Sequence, residues 1–107
     1  MKYALLVYSS GERQPSEELH PAIAAVLQTP SVSGWVRLKP AESATTVKLE
    51  ARRTLLTDGP FVDSKEYLGG LILVDADNLD GALAVATQLQ ELGFTAAIEV
   101  RPVRAQS

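Results

Sequence analysis

Two stretches decide the fold, KYALLVY at residues 2–8 and LILV at residues 71–74. Both consist mainly of residues that favour β-strands. Because successive side chains of a strand point to opposite faces of its sheet, apolar residues at every position predict a strand that is covered on both sides. In the first stretch one face carries Tyr3, Leu5 and Val7, and the other face carries Ala4, Leu6 and Tyr8.

Two helices and two further strand regions surround these stretches. Pro21 is favourable as the first residue of a helix, which is predicted to run to about Thr29 with Ile23, Val26 and Leu27 inward, before Pro30 stops it. Residues 32–57 are predicted to form short antiparallel strands, and in the first of them Val36 and Leu38 alternate with Trp35, Arg37 and Lys39. Alternating residues over 45–57, with a turn near Ala51-Arg52, predict a β-hairpin. A second helix is predicted to begin at Asp77-Asn78-Leu79-Asp80 and to end at Gly93. Its inward face is predicted to carry Leu79, Ala82, Leu83, Ala86 and Leu89.

This order of elements predicts one α+β domain over residues 1–107. With a last strand over Ala97–Val103, the chain reads β-α-β, hairpin, β-α-β. It therefore fits a ferredoxin-like split βαβ arrangement with an inserted hairpin and an antiparallel sheet. Two helices can cover only one face of such a sheet. A second copy of the chain is the simplest cover for the other face, so we expect a homodimer.

Composition excludes several classes of function. The chain of 107 residues has no Cys, one His and a net charge of −3. Cysteine chemistry is therefore excluded, and so is a site built on two His ligands within one chain. No metal or other cofactor is expected, and nucleic acid is an unfavourable partner. There is no glycine-rich phosphate-binding motif. The apolar runs are too short for a targeting or membrane-spanning segment, so we expect a cytoplasmic protein without a membrane partner.

One segment concentrates groups that can do chemistry. The run TDGPFVDSKE at residues 57–66 lies within a predicted loop over Asp58–Gly70. A sharply turned Asp-Gly-Pro precedes a large aromatic, Phe61, and a cluster of acids and bases. The spacing alone leaves two interpretations open. The segment is either a surface turn in which Asp58 caps the backbone and Phe61 fills the core, or a place where ionisable groups converge on a ligand.

The sequence resembles the YCII-related proteins, specifically their DGPF-domain group. The resemblance is carried by the opening MKYALLVY, by ATTV at residues 44–47, by TDGPFVDSKEYLGG at residues 57–70 and by the ending EVRPV at residues 99–103. It implies a ferredoxin-like dimer of the dimeric α/β-barrel type, and it implies no established reaction. The stretch Trp35-Val36-Arg37 stands where that group usually has a small, Gly-rich segment.

The resemblance implies a first hypothesis, an enzyme or binder of an unknown small molecule in a cleft between sheet and helix. The family is suspected of catalysis by a His and an Asp, which correspond here to His20 and Asp58. In this hypothesis Asp58 orients His20 for proton transfer. Lys65 attracts an anionic group of the ligand, and Glu66 holds Lys65 by charge pairing.

The alternative hypothesis is a non-catalytic module that senses a ligand or regulates transcription. Some relatives are encoded beside, or fused to, extracytoplasmic-function sigma factors, which makes a sigma factor the candidate partner. In this interpretation the loop over residues 58–66, which we call the DGPF loop, supports the dimer interface, and Phe61 and Tyr67 are packing residues.

Overall fold

The computed structural model describes residues 1–10 and 18–105. In chain order the elements are β1 (Lys2–Ser10), α1 (Pro21–Leu27), β2 (Val32–Arg37), a short 3₁₀ turn (Ala41–Ser43), β3 (Thr45–Glu50), β4 (Arg53–Asp58), β5 (Glu66–Asp75), α2 (Leu79–Glu91) and β6 (Ala97–Pro102). The predicted α+β class and the order of elements are confirmed.

Four strands form an antiparallel sheet in the order β2-β5-β1-β6. The two stretches that decide the fold are its central strands, with Leu5 opposite Ile72 and Leu6 opposite Leu71. With the hairpin left aside, the elements follow each other as β-α-β-β-α-β, which is the split βαβ arrangement.

Both helices contribute to a core on one face of this sheet. Leu5 and Val74 are fully buried there, whereas Leu73, next to Val74, lies on the opposite face. The buried cluster consists of Tyr3, Leu5, Val26, Leu27, Ile72, Val74, Ala82, Ala86 and Leu89. Leu79 and Leu83 were predicted to point inward but are largely exposed, so the inward face of α2 is narrower than predicted. In the described residues neither helix has the length and apolar character needed to cross a membrane.

The helix ends follow from local sequence. Pro21 is the first residue of α1, and the His20 side chain before it accepts the Ala22 N–H. At α2, Asn78 caps the helix by accepting the Gly81 N–H. The sequence placed the start of this helix correctly, but the acid three positions after the predicted cap, Asp80, fits Asp77 and not Asn78. Gly93 follows the helix with φ 81°, a left-handed conformation that glycine adopts without steric cost.

Strand β5 begins earlier than predicted. The predicted loop over 58–70 ends at Lys65, because residues 66–70 already pair with β1. The two glycines in this part are required by close neighbours. A Cβ on Gly70 would lie 3.0 Å from the Val36 carbonyl oxygen, and one on Gly69 would lie 2.9 Å from Ser9 Oγ. The register shift between Val7 and Tyr8 falls opposite these glycines.

The inserted hairpin is a sheet of its own. Strands β3 and β4 pair with each other, with Val47 opposite Leu56, and in the described chain they pair with no strand of the larger sheet. The turn falls at Ala51 and Arg52, as predicted. Two hydrogen bonds fasten the base of the hairpin, from Gly59 N–H to the Ala44 carbonyl and from Thr46 Oγ1 to the Gly59 carbonyl. We call residues 45–62 the arm.

The sheet face away from the helices, which we call the open face, has no covering element in the described chain. Its apolar residues on the central strands include Ala4, Leu6, Leu71 and Leu73, and none of these four belongs to the core cluster or packs against it. On the neighbouring strand β6, Glu99 and Arg101 form an ion pair. The hydrogen bond that Arg101 Nε donates to Glu99, together with the negative charge of Glu99, raises the pKa of the Arg101 guanidinium above its ordinary value.

Candidate functional site

A cavity of about 550 Å³ lies between α1 and the helix-covered face of the sheet. That volume is within the range of about 300–1,000 Å³ typical of sites for small molecules. Most of the lining is apolar, supplied by Val7, Leu19, Pro21, Ile23, Leu27, Trp35, Val36, Leu38, Ile72, Leu89, Phe94 and Ile98. The polar side chains of the lining are Ser9, Glu18, His20, Arg37, Tyr67 and Thr95.

The register of β2 places an aromatic and a cation in this cavity. Trp35 pairs with Ile72, and Arg37 pairs with Gly70. Because paired residues of neighbouring strands lie on the same face, Trp35 and Arg37 share the face of the core residue Ile72.

His20 lies at the start of α1, and its ring is held by two contacts. Its Nδ1 accepts a hydrogen bond from the Ala22 backbone N–H at 3.1 Å. Its ring centroid lies 4.7 Å from that of Phe94, with a tilt of 35° between the rings. A nitrogen that accepts a hydrogen bond carries no proton, so the neutral ring carries its proton on Nε2. The ring therefore has its N–H donor at Nε2, and His20 is among the residues that line the cavity.

The structure separates His20 from the other predicted site residues. His20 lines the cavity, whereas Asp58, Lys65 and Glu66 are not among its lining residues. Asp58 ends β4 opposite Thr45, in the small sheet of the arm, and is exposed. Among the described residues, no hydrogen bond or ion pair joins His20 to Asp58, or Lys65 to Glu66. The acid–base pair is therefore not assembled within one chain.

The DGPF loop does not fill the core. Phe61 was predicted to be buried, but 73% of its surface is exposed. Its ring is instead 5.8 Å from Lys48 Nζ on the neighbouring strand, within reach of a cation–π interaction. The loop is shaped by its backbone, through the Gly59 hydrogen bonds at the base of the arm and a bond from Glu66 N–H to Ser64 Oγ.

Sequence reasoning missed most of the polar lining. Trp35 and Arg37 were placed on a predicted strand and noted as a departure from the DGPF group, but they were not predicted to bind a ligand. The alternation of residues along β2 does place Trp35 and Arg37 on one face of the strand. Whether that face is turned to the helices depends on the pairing of β2 with β5. Glu18 and Thr95 lie in irregular segments, where no helix or strand periodicity predicts the direction of a side chain. No cluster of three metal-ligating residues occurs in the described chain.

Together the fold and the cavity define a class of protein: an α+β domain with an antiparallel sheet and a ligand-sized space between sheet and first helix. A family model for the YCII-related domain matches residues 1–106, and the chain belongs to the YCII-related family. It is also 32% identical over 114 residues to an uncharacterized protein of Rhizobium meliloti (strain 1021), covering 96% of this chain and 92% of the relative. The finer assignment to the DGPF group stays a prediction.

Proposed function

We propose that this protein binds a small, largely apolar molecule that carries an acceptor oxygen. The observation that supports this most strongly is the composition of the cavity, an apolar space of about 550 Å³ with only a few polar side chains. Such sites take their affinity from apolar burial and their orientation from a few hydrogen bonds. Binding of such a molecule is compatible with an enzyme and also with a non-catalytic module that senses a ligand, including a module that acts on a sigma factor.

In this proposal His20 is a hydrogen-bond donor. A general base at Nε2 needs an unprotonated Nε2, which places the ring proton on Nδ1. That tautomer loses the bond that Nδ1 accepts from the Ala22 N–H. The helix cap therefore favours the tautomer that donates from Nε2, and a carboxylate or carbonyl oxygen is the complementary acceptor. Arg37 lines the same cavity and supplies a positive charge for a carboxylate, while Glu18 in the same lining carries a negative charge.

The emission of Trp35 tests the proposal, because Trp35 is the single Trp of the chain and lines the cavity. The probes are octanoate and octanol, which share an eight-carbon chain and differ in the charge of the head group. We expect a saturable change of emission with both probes and tighter binding of octanoate. No saturable change with either probe would overturn the proposal.

The variant His20→Asn isolates the role of the ring. Asn is a good helix cap, so α1 keeps its cap while the Nε2–H donor is lost. A hydrogen bond to a charged group is worth about 1.5–3 kcal/mol, so octanoate affinity should fall by about tenfold or more. Asp80→Asn on α2, outside the cavity, is the matched control and should leave the affinity unchanged.

We also propose that the protein is a homodimer that buries the open face. The support is the row of apolar side chains on the central strands, which has no cover within the described chain. Leu73→Asp should dissociate the dimer in sedimentation equilibrium, because it places a charge among these residues. Leu83→Asp, on the exposed side of α2, is the control. A stable monomer of the unmodified protein at micromolar concentration would contradict the proposal.

A further inference from the structure

The arm forms a sheet separate from the rest of the molecule, and the chain as a whole is extended. The radius of gyration of the chain is 15.5 Å, with extents of 44 × 33 × 18 Å. A compact domain of this length has a radius of gyration of about 13 Å. The difference fits a hairpin that pairs with itself and projects from the four-stranded sheet.

Both faces of the arm expose large apolar side chains. One face carries Val47, Leu49 and Leu56, which are 66%, 74% and 70% exposed. The other face carries Leu55 beside Lys48, and Phe61 follows on this side. Soluble monomers rarely expose contiguous apolar patches of this kind unless the patch is a binding surface.

The turn of the arm is strained. Ala51 and Arg52 have φ values of 49° and 66°, a left-handed conformation that residues other than glycine and asparagine avoid. A two-stranded hairpin is marginally stable by itself even with a favourable turn. Strain of this kind persists where surrounding contacts fix the conformation, and the described chain supplies those contacts only at the base of the arm.

The surface area of the chain exceeds that expected for a compact monomer. A compact monomer of 11.5 kDa exposes about 5,800 Å². This chain exposes 7935 Å², an excess of about 2,100 Å². A stable interface buries about 800 Å² on each partner, and obligate dimers bury more. The excess is therefore large enough for an interface that includes the arm as well as the open face.

The distribution of charge along the chain indicates which partner packs against the arm. Residues 45–62 carry Lys48, Arg52 and Arg53 against Glu50 and Asp58, a net charge of +1. Since the whole chain carries −3, the remaining residues carry −4. The arm is thus apolar with a small positive charge, while the rest of the molecule is acidic. We propose that the arm packs against a second copy of this chain, where it meets an acidic surface and an apolar one, and that the two copies exchange arms symmetrically.

The first test compares three substitutions in sedimentation equilibrium. Leu56→Asp should raise the dissociation constant of the dimer by about tenfold or more, since it removes a leucine that the proposed interface buries and places an acid on the arm. Leu83→Asp should leave it unchanged. If Leu73→Asp dissociates the dimer but Leu56→Asp does not change its dissociation constant, the arm proposal is overturned and the dimer through the open face stands.

The second test needs no substitution and therefore does not depend on a variant folding. Dimers mixed from ¹³C-labelled and unlabelled chains give nuclear Overhauser effects between copies in an isotope-filtered experiment. We expect such effects from the methyl groups of Val47, Leu49 and Leu56. If these methyl groups show contacts only within their own copy, or if the protein is monomeric, the proposal is overturned.

Discussion

The four-stranded sheet and the arm are built from similar sequence and have opposite surroundings. Each is an antiparallel ladder with apolar residues in register. Leu5 in the sheet is 0% exposed, whereas Leu49 in the arm is 74% exposed. The sheet is covered on one face by α1 and α2, which follow strands of that sheet in the chain. The arm has no helix of its own.

This difference shows that a strand pattern defines an element but not what covers it. On the helix-covered face of the sheet, the cover comes from the same chain, so the burial of Leu5 is a property of one molecule. If the arm is covered by a second copy, as proposed above, its stability depends on protein concentration. The following substitutions separate these two cases.

The largest effect is expected from a pair of leucines. Leu5→Ala should lower the free energy of unfolding by about 2–5 kcal/mol at every protein concentration, because it leaves a cavity in the core. Leu49→Ala should cost less than about 0.5 kcal/mol in dilute protein, where the arm is solvated.

Urea denaturation over a hundredfold range of protein concentration measures both. If the arm packs on a second copy, the cost of Leu49→Ala should grow with concentration while that of Leu5→Ala stays constant. An equally large cost of Leu49→Ala in dilute protein would show that its own chain covers the arm.

Sequence predicted the elements well where the local pattern is strong. The strands around Leu5 and Ile72, the start of α2 near Asp77-Asn78 and the turn at Ala51 each follow from a few adjacent residues. The first part of β5 was missed because Gly69-Gly70 is typical of a loop. The glycines are there because other parts of the chain approach closely, and such contacts between distant residues are invisible in a local pattern.

The candidate site was harder to predict for the same reason. Asp58 and His20 were paired by resemblance, but Asp58 belongs to a hairpin that forms its own sheet. Phe61 was expected in the core because it is large and apolar. Hydrophobicity indicates that a residue favours burial, yet it does not say whether its own chain or another provides the cover. Trp35 and Arg37 reach the cavity through the register of β2 with β5, which only the folded chain reveals.

An intermediate effect is expected from a pair of glycines in the sheet. Gly70→Ala should cost about 1–3 kcal/mol, because the new Cβ would lie 3.0 Å from the Val36 carbonyl oxygen and the strands must separate. Gly34→Ala should be neutral or slightly stabilising, since nothing lies within 4 Å of its Cβ position. Thermal unfolding of the two variants at one protein concentration measures the difference. Equal costs would mean that β2 and β5 do not approach closely at Gly70.

The smallest effect is expected at the tip of the arm. The turn Ala51-Arg52 has positive φ at both positions, and Asn-Gly is the pair that adopts this two-residue turn most readily. Replacing Ala51 with Asn and Arg52 with Gly should therefore stabilise the arm by about 1 kcal/mol, because it relieves left-handed strain. Amide hydrogen exchange in β3 and β4 of dilute protein should slow accordingly, by about fivefold, while exchange in β1 and β5 stays unchanged. Faster exchange in the arm would show that the original turn is not strained. Slower exchange throughout the sheet would show that arm and sheet unfold as one unit, and the contrast between the two regions would then be lost.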